Sequence, residues 1–132
     1  MADYKYLIAG IPTWDFGELQ EDWEDQWEKL REINLESKYV ALFGLGDQVG
    51  YPEWFQDAMG YLWQKLKDQG AIMVGTWPNQ GYSFTHSKAL NAEKSMFLGL
   101  PLDDENQFDQ TDSKIQVWTK KILTEFGILN FE

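Results

Sequence analysis

Two short segments carry residue types that suit a flat ring. Residues 11–17 (IPTWDFG) and 44–51 (GLGDQVGY) each set a large aromatic, Trp14 or Tyr51, among glycines and short polar residues. Two aromatic faces across a gap can hold a planar heterocycle by stacking on both sides. Glycines let the backbone come close and offer its N–H and C=O groups to the ring edge. The alternative for each aromatic is a lid on the hydrophobic core, the ordinary fate of a lone Trp after a strand. Two such loops at successive strand ends weigh against that alternative.

Other chemistries find less support. His86 is the only histidine and lies in a polar stretch, and there is no cysteine, so thiolate metal sites and disulfides are excluded and no metal site is expected. Residues 15–36 hold nine acids against Lys29 and Arg31, and a second acidic group comprises Asp103, Asp104, Glu105, Asp109 and Asp112. The spacing of the first group puts its acids on the outer face of a helix, a solvated face rather than paired catalytic carboxylates. Gly44-Leu45-Gly46 lacks the third glycine of a dinucleotide fingerprint, and no helix starts directly after it. No catalytic residue is assigned.

The elements that must position the two loops follow from hydrophobic spacing. Residues 4–9 (YKYLIA), 38–43 (KYVALF), 71–75 (AIMVG) and 96–100 (MFLGL) read as buried strands. Leu19, Trp23, Trp27 and Leu30 recur at helical spacing and predict a helix over 20–31. Phe55, Ala58, Met59, Leu62, Trp63 and Leu66 predict a second, with Pro52 in its first turn and Gly70 as its stop. A last helix is expected over about 112–126, with Thr111 as N-cap and Gly127 at its end. Strand–helix alternation implies parallel strands with right-handed crossovers, and places ligands beyond the carboxyl ends of the strands. Both aromatic loops fall there.

The 132 residues fit one domain, read as spanning 1–132, with 43% apolar residues to build a core. No apolar stretch reaches the roughly 18 residues of a membrane span, and no signal pattern opens the chain, so a cytoplasmic protein is expected. Eleven Lys and Arg against 22 Asp and Glu give a formal charge of −11, which repels phosphate backbones and anionic lipids and attracts basic partners.

Residues 11–23 (IPTWDFGELQEDW) and 43–58 (FGLGDQVGYPEWFQDA) closely resemble the two flavin-ring loops of flavodoxins, and the resemblance continues through 74–84, 97–107 and 118–127. The polar segment 76–95 resembles the loop inserted in the final strand of long-chain flavodoxins. The resemblance implies a three-layer α/β/α fold with a parallel sheet and noncovalent FMN. It implies a low-potential one-electron carrier between redox partners, not an enzyme. It places Trp14 and Tyr51 on the two ring faces and the Asp15–Phe16 peptide at the flavin N5. Thr13, Gly17, Leu45, Gly46 and Asp47 fall around the ring and its pyrimidine edge, and Gln56, with a weaker match at Glu105, near the ribityl chain. The acids around the exposed ring edge imply basic-faced reductases and acceptors as partners.

One departure bears on binding. Residues 4–9 match the family's third strand, and no Ser/Thr-rich phosphate loop precedes them in this sequence. The resemblance thus covers a partial domain. Were these 132 residues the whole polypeptide, weakened phosphate binding, an uncovered strand edge and a tendency to self-associate would be expected. A flavin-free acidic interaction module, or a non-functional fragment, is the alternative.

Overall fold

The structure, a computed structural model, describes residues 6–14, 18–19 and 34–127. The run YLIAGIPTW forms strand β1 (Tyr6–Trp14), and β2 (Glu18–Leu19) folds back on its end. The central strand is β3 (Tyr39–Leu45), followed by helix α1 (Asp57–Asp68) and β4 (Ile72–Val74). A small hairpin, β5 (Trp77–Pro78) with β6 (Met96–Phe97), precedes β7 (Leu100–Leu102) and helix α2 (Phe108–Glu125).

β1 and β3 run parallel in register from Tyr6↔Tyr39 to Pro12↔Leu45. On its other side β3 has two parallel partners in succession: β4 along Tyr39–Ala41 and β7 along Phe43–Leu45. One lane of the sheet is therefore interrupted by residues 75–99. Gly75 turns the chain out of the lane at a φ of 87°, where a Cβ would also press on Ala41, Trp118 and Ile122. β2 pairs antiparallel with the end of β1 through Thr13↔Leu19 and Trp14↔Glu18.

Alternation along the strands sends side chains to opposite layers. Leu7, Ala9, Ile11, Val40 and Leu42 pack with α1, whose Ala58, Met59, Leu62 and Leu66 are fully buried. Tyr6, Tyr39, Ala41 and Phe43 pack with Trp118, Ile122 and Phe126 at the α2 layer. Gly10 lies against the Phe43 ring, where a Cβ would come within 2.2 Å of it. The three-layer α/β/α expectation holds.

Several boundaries differ from the sequence reading. β1 continues through Gly10 and Pro12, because the parallel ladder to β3 absorbs them. The expected strand over 96–100 splits: Met96–Phe97 pairs antiparallel with Trp77–Pro78, and Leu100–Leu102 joins the main sheet. Pro52 stands before α1 and not in its first turn; its carbonyl accepts the N–H groups of Thr85 and His86. The last helix starts at Phe108, so Thr111 is no cap: its hydroxyl donates to Asp104 Oδ1 at 2.6 Å. The helix expected over 20–31 lies outside the described residues.

Candidate functional site

β1, β3 and β7 end side by side, and a cavity of about 500 Å³ opens there. Pro12 and Thr13 line it from β1, Leu45, Gly46, Asp47 and Tyr51 from the β3 loop, and Asp104 and Glu105 from the turn after β7. This is the crevice at the carboxyl ends of the strands where open α/β sheets bind ligands, and its volume is that of a small-molecule pocket.

The β3 loop is held from three sides. From within, Asp47 folds it: Oδ1 accepts the N–H groups of Val49 (3.1 Å) and Gly50 (2.7 Å), while its carbonyl accepts the N–H of Tyr51 at 3.0 Å. The Gly50 N–H is the main reason that the Asp47 carboxyl titrates below its ordinary range; those of Asn106 and Val49 add to it, and partial burial opposes them. From beneath, Gly46 lies flat on Phe55 and Gln56, where a Cβ would come within 3.1 Å of both. The Leu102 carbonyl accepts both the Gly46 N–H and Gln56 Nε2–H, each at 3.0 Å. From the side, the Asp103 carboxylate, 1% exposed, accepts the Gln48 N–H at 2.9 Å.

Thr13 ties the other wall to the scaffold. Its hydroxyl accepts the Ala58 N–H at 3.0 Å, supplying the first turn of α1 with an acceptor that its own N-cap, Gln56, does not provide. The start of α1 and the end of β1 are thereby locked together beneath the cavity.

Of the expected ring-site residues, Thr13, Leu45, Gly46, Asp47 and Tyr51 converge on this cavity, and Glu105 joins them. Trp14 closes β1 next to Thr13 and pairs through its backbone with Glu18. Asp15, Phe16 and Gly17 lie outside the described residues. Gln56 does not line the cavity. It is fully buried under the loop with φ +63°, and its Oε1 has no hydrogen-bond partner among the described residues.

Sequence reasoning missed Asn106 and the buried role of Asp103. Asp103 is not a surface docking acid, because its carboxylate sits under Gln48 and Asn106. The signal was Asp103-x-x-Asn106, two residue types that bond neighbouring backbone in turns; reading the run only as charge hid it.

The arrangement fits a planar, polar-edged heterocycle. Tyr51 supplies an aromatic wall that is 36% exposed. The charged lining residues described, Asp47, Asp104 and Glu105, are all acids, so the site disfavours added negative charge.

A parallel α/β/α sheet with a ring-sized crevice at its carboxyl edge defines the class of nucleotide- and flavin-binding doubly wound proteins. Residues 1–118 match the family described as Flavodoxin. The chain is 55% identical over 127 residues to Flavodoxin 2 of Escherichia coli K12, covering 96% of this chain and 73% of that protein. It is 48% identical over 126 residues to a Nostoc flavodoxin, with the same coverage. Its fold matches the crystal structure of Fusobacterium nucleatum flavodoxin bound to flavin mononucleotide, with a TM-score of 0.88 and 32% identity over 93% of this chain and 72% of that one. The chain belongs to the flavodoxin family.

Proposed function

We infer that the cavity holds the isoalloxazine ring of FMN and that the protein works as a low-potential one-electron carrier between redox proteins, not as an enzyme. The observation that carries this is the convergence of Thr13, Leu45, Gly46, Asp47 and Tyr51 on one crevice, in a chain of this family. Bound FMN supplies the electron-accepting chemistry; the protein tunes it.

Tyr51 is assigned to one ring face and Trp14 to the other. The Asp15–Phe16 peptide and Gly17 are assigned to the N5 side, by resemblance alone. Leu45, Gly46 and Asp47 present backbone to the ring edge on a loop too constrained to rearrange freely. Thr13 serves through its bond to the Ala58 N–H, which fixes the end of β1. Gln56 is assigned to supporting the loop through Leu102 rather than to the ribityl chain, in keeping with its full burial. Asp47, Asp104 and Glu105 oppose the extra negative charge of the most reduced flavin and so lower the potential of that step.

The finer reading of the partners is that they present Lys/Arg patches to Asp47, Asp104, Glu105 and the acids of residues 18–22. Asp103 drops out of that surface. No helix among the described residues is long and apolar enough to cross a membrane, and we assign the carrier to the cytoplasm with its partners. Residues 1–132 are read as a partial flavodoxin-like domain.

A stepwise reductive titration of the purified, FMN-loaded protein tests the carrier reading: two separated one-electron steps are expected, with the second well below the first. A protein that takes up no flavin would return the chain to the flavin-free alternatives. Electron transfer to a basic partner should slow as salt shortens the Debye length from about 30 Å to about 8 Å. A rate indifferent to salt would reduce the acids to a solubilising surface.

A further inference from the structure

We propose that Asn106 is a positioning residue for the FMN site: its carboxamide holds the Tyr51-bearing loop to the turn after β7. The inference rests on the reading that FMN occupies this cavity. Asn106 Nδ2 donates one hydrogen to Asp47 Oδ1 at 2.8 Å and the other to Asp103 Oδ2 at 2.9 Å. Its backbone N–H reaches Asp103 Oδ1 at 3.1 Å. One neutral group thus bridges two carboxylates that come no more than about 6 Å apart.

Both carboxylates are acceptors only, and each organises a wall of the cavity. Asp47 folds the loop that carries Tyr51. Asp103, buried, anchors Gln48 of the same loop, and Gln48 Oε1 accepts the Ser83 N–H at 2.6 Å from the long insertion. Without the amide bridge, two like charges face each other across the seam and the loop loses its lateral tie. Few side chains can replace it. Two donors, no charge and a short reach are needed together; Ser offers one donor, and Asp adds a third carboxylate.

The chain of contacts also fixes the direction of the effect on redox tuning. The donor offsets part of the Asp47 charge at the cavity wall, so its loss leaves a more negative surround for the flavin.

The test titrates apoprotein with FMN and measures the midpoint potentials of the loaded protein, for wild type, Asn106→Ala and Asn106→Asp. Asn106→Ala is expected to weaken FMN binding about tenfold and to move the most reduced step to a lower potential, with Asn106→Asp further in both respects. In an Asp47→Ala background the effect of Asn106→Ala on binding should shrink to less than about twofold, because Asn106 acts through Asp47. A purely structural role would leave the full factor in both backgrounds and the potential unmoved. Asn106→Ser, which keeps one donor, should fall between wild type and Ala, and serves if Ala does not fold. Binding within twofold of wild type and an unchanged potential in Asn106→Ala would overturn the proposal. Wild-type protein that binds no FMN would instead overturn the reading beneath it.

Discussion

The two faces of the sheet are finished to different degrees. The face under α1 is sealed: Phe55, 1% exposed, meets the rings of Tyr82, Phe84 and Phe97 at centroid distances of 5.3–5.9 Å, so the long insertion packs down as part of the core. The α2 face has a smaller buried cluster and an apolar groove of about 210 Å³ along Ile8, Phe43, Leu100, Leu102, Ile115 and Trp118. On that groove Ile8 is 45% exposed and Ile115 40%. Among the described residues β1 also has no partner strand along Tyr6–Pro12 on the side away from β3. The ring-site crevice hangs from the sealed face, through Thr13 to α1 and Gly46 to Phe55. The binding loops thus draw their rigidity from the half of the molecule that is fully packed.

Substitutions can break or sharpen this contrast. Phe55→Ala removes the ring at the centre of the sealed face and should cost about 3–5 kcal/mol by urea denaturation. A cost near 1 kcal/mol would mean that the insertion is not part of the core. Trp118→Phe on the open face keeps most of the ring but removes the Nε1–H bond to the buried Gly75 carbonyl at 2.8 Å; about 2 kcal/mol is expected by the same assay.

Tyr82→Phe should cost about 1 kcal/mol at neutral pH for the lost bond to the Pro101 carbonyl at 2.8 Å. It also has a pH signature. Burial, the largest cause, pushes the Tyr82 phenol well above its ordinary value of 10, so folding favours the protonated form. The stability this contributes is complete below about pH 10 and is lost as the pH rises towards the folded-state value. Wild type should weaken across that alkaline range more steeply than Tyr82→Phe when melting is followed against pH. Equal slopes would place Tyr82 in water.

The smallest effect is expected at the open edge. Ile8→Ser should change stability by less than about 1 kcal/mol, since the side chain is half exposed, and should reduce any association seen by sedimentation. A cost as large as that of Phe55→Ala would show the groove to be covered in solution.

Much of this contrast was legible in the sequence, and unevenly. The apolar runs of β1 and β3 and the helical spacing of α1 announced the parallel core, because burial on two faces leaves little else for such runs to do. The interrupted lane was harder: MFLGL looks like one strand, but Phe97 belongs to the aromatic cluster with Phe55 while Leu100 belongs to β7, a tertiary choice with no local signal. The site showed the same pattern. Tyr51 and Asp47 stood out by type in a glycine-rich loop. Asp103 and Asn106 looked like one more acidic surface run, since nothing in a run of charges says which carboxylate turns inward. Gln56 matched a ligand position in sequence and turned out to lie beneath the loop, fully buried.

The most direct test of the ring-site assignment is a fluorescence titration of apoprotein with FMN, comparing wild type, Tyr51→Ala and the distant groove variant Ile115→Ala. Loss of one stacking face is worth about 1–3 kcal/mol, so Tyr51→Ala should weaken binding by about 5- to 150-fold, with Ile115→Ala indistinguishable from wild type. Tyr51→Ala binding FMN as tightly as wild type would contradict the assignment of this crevice to the flavin ring.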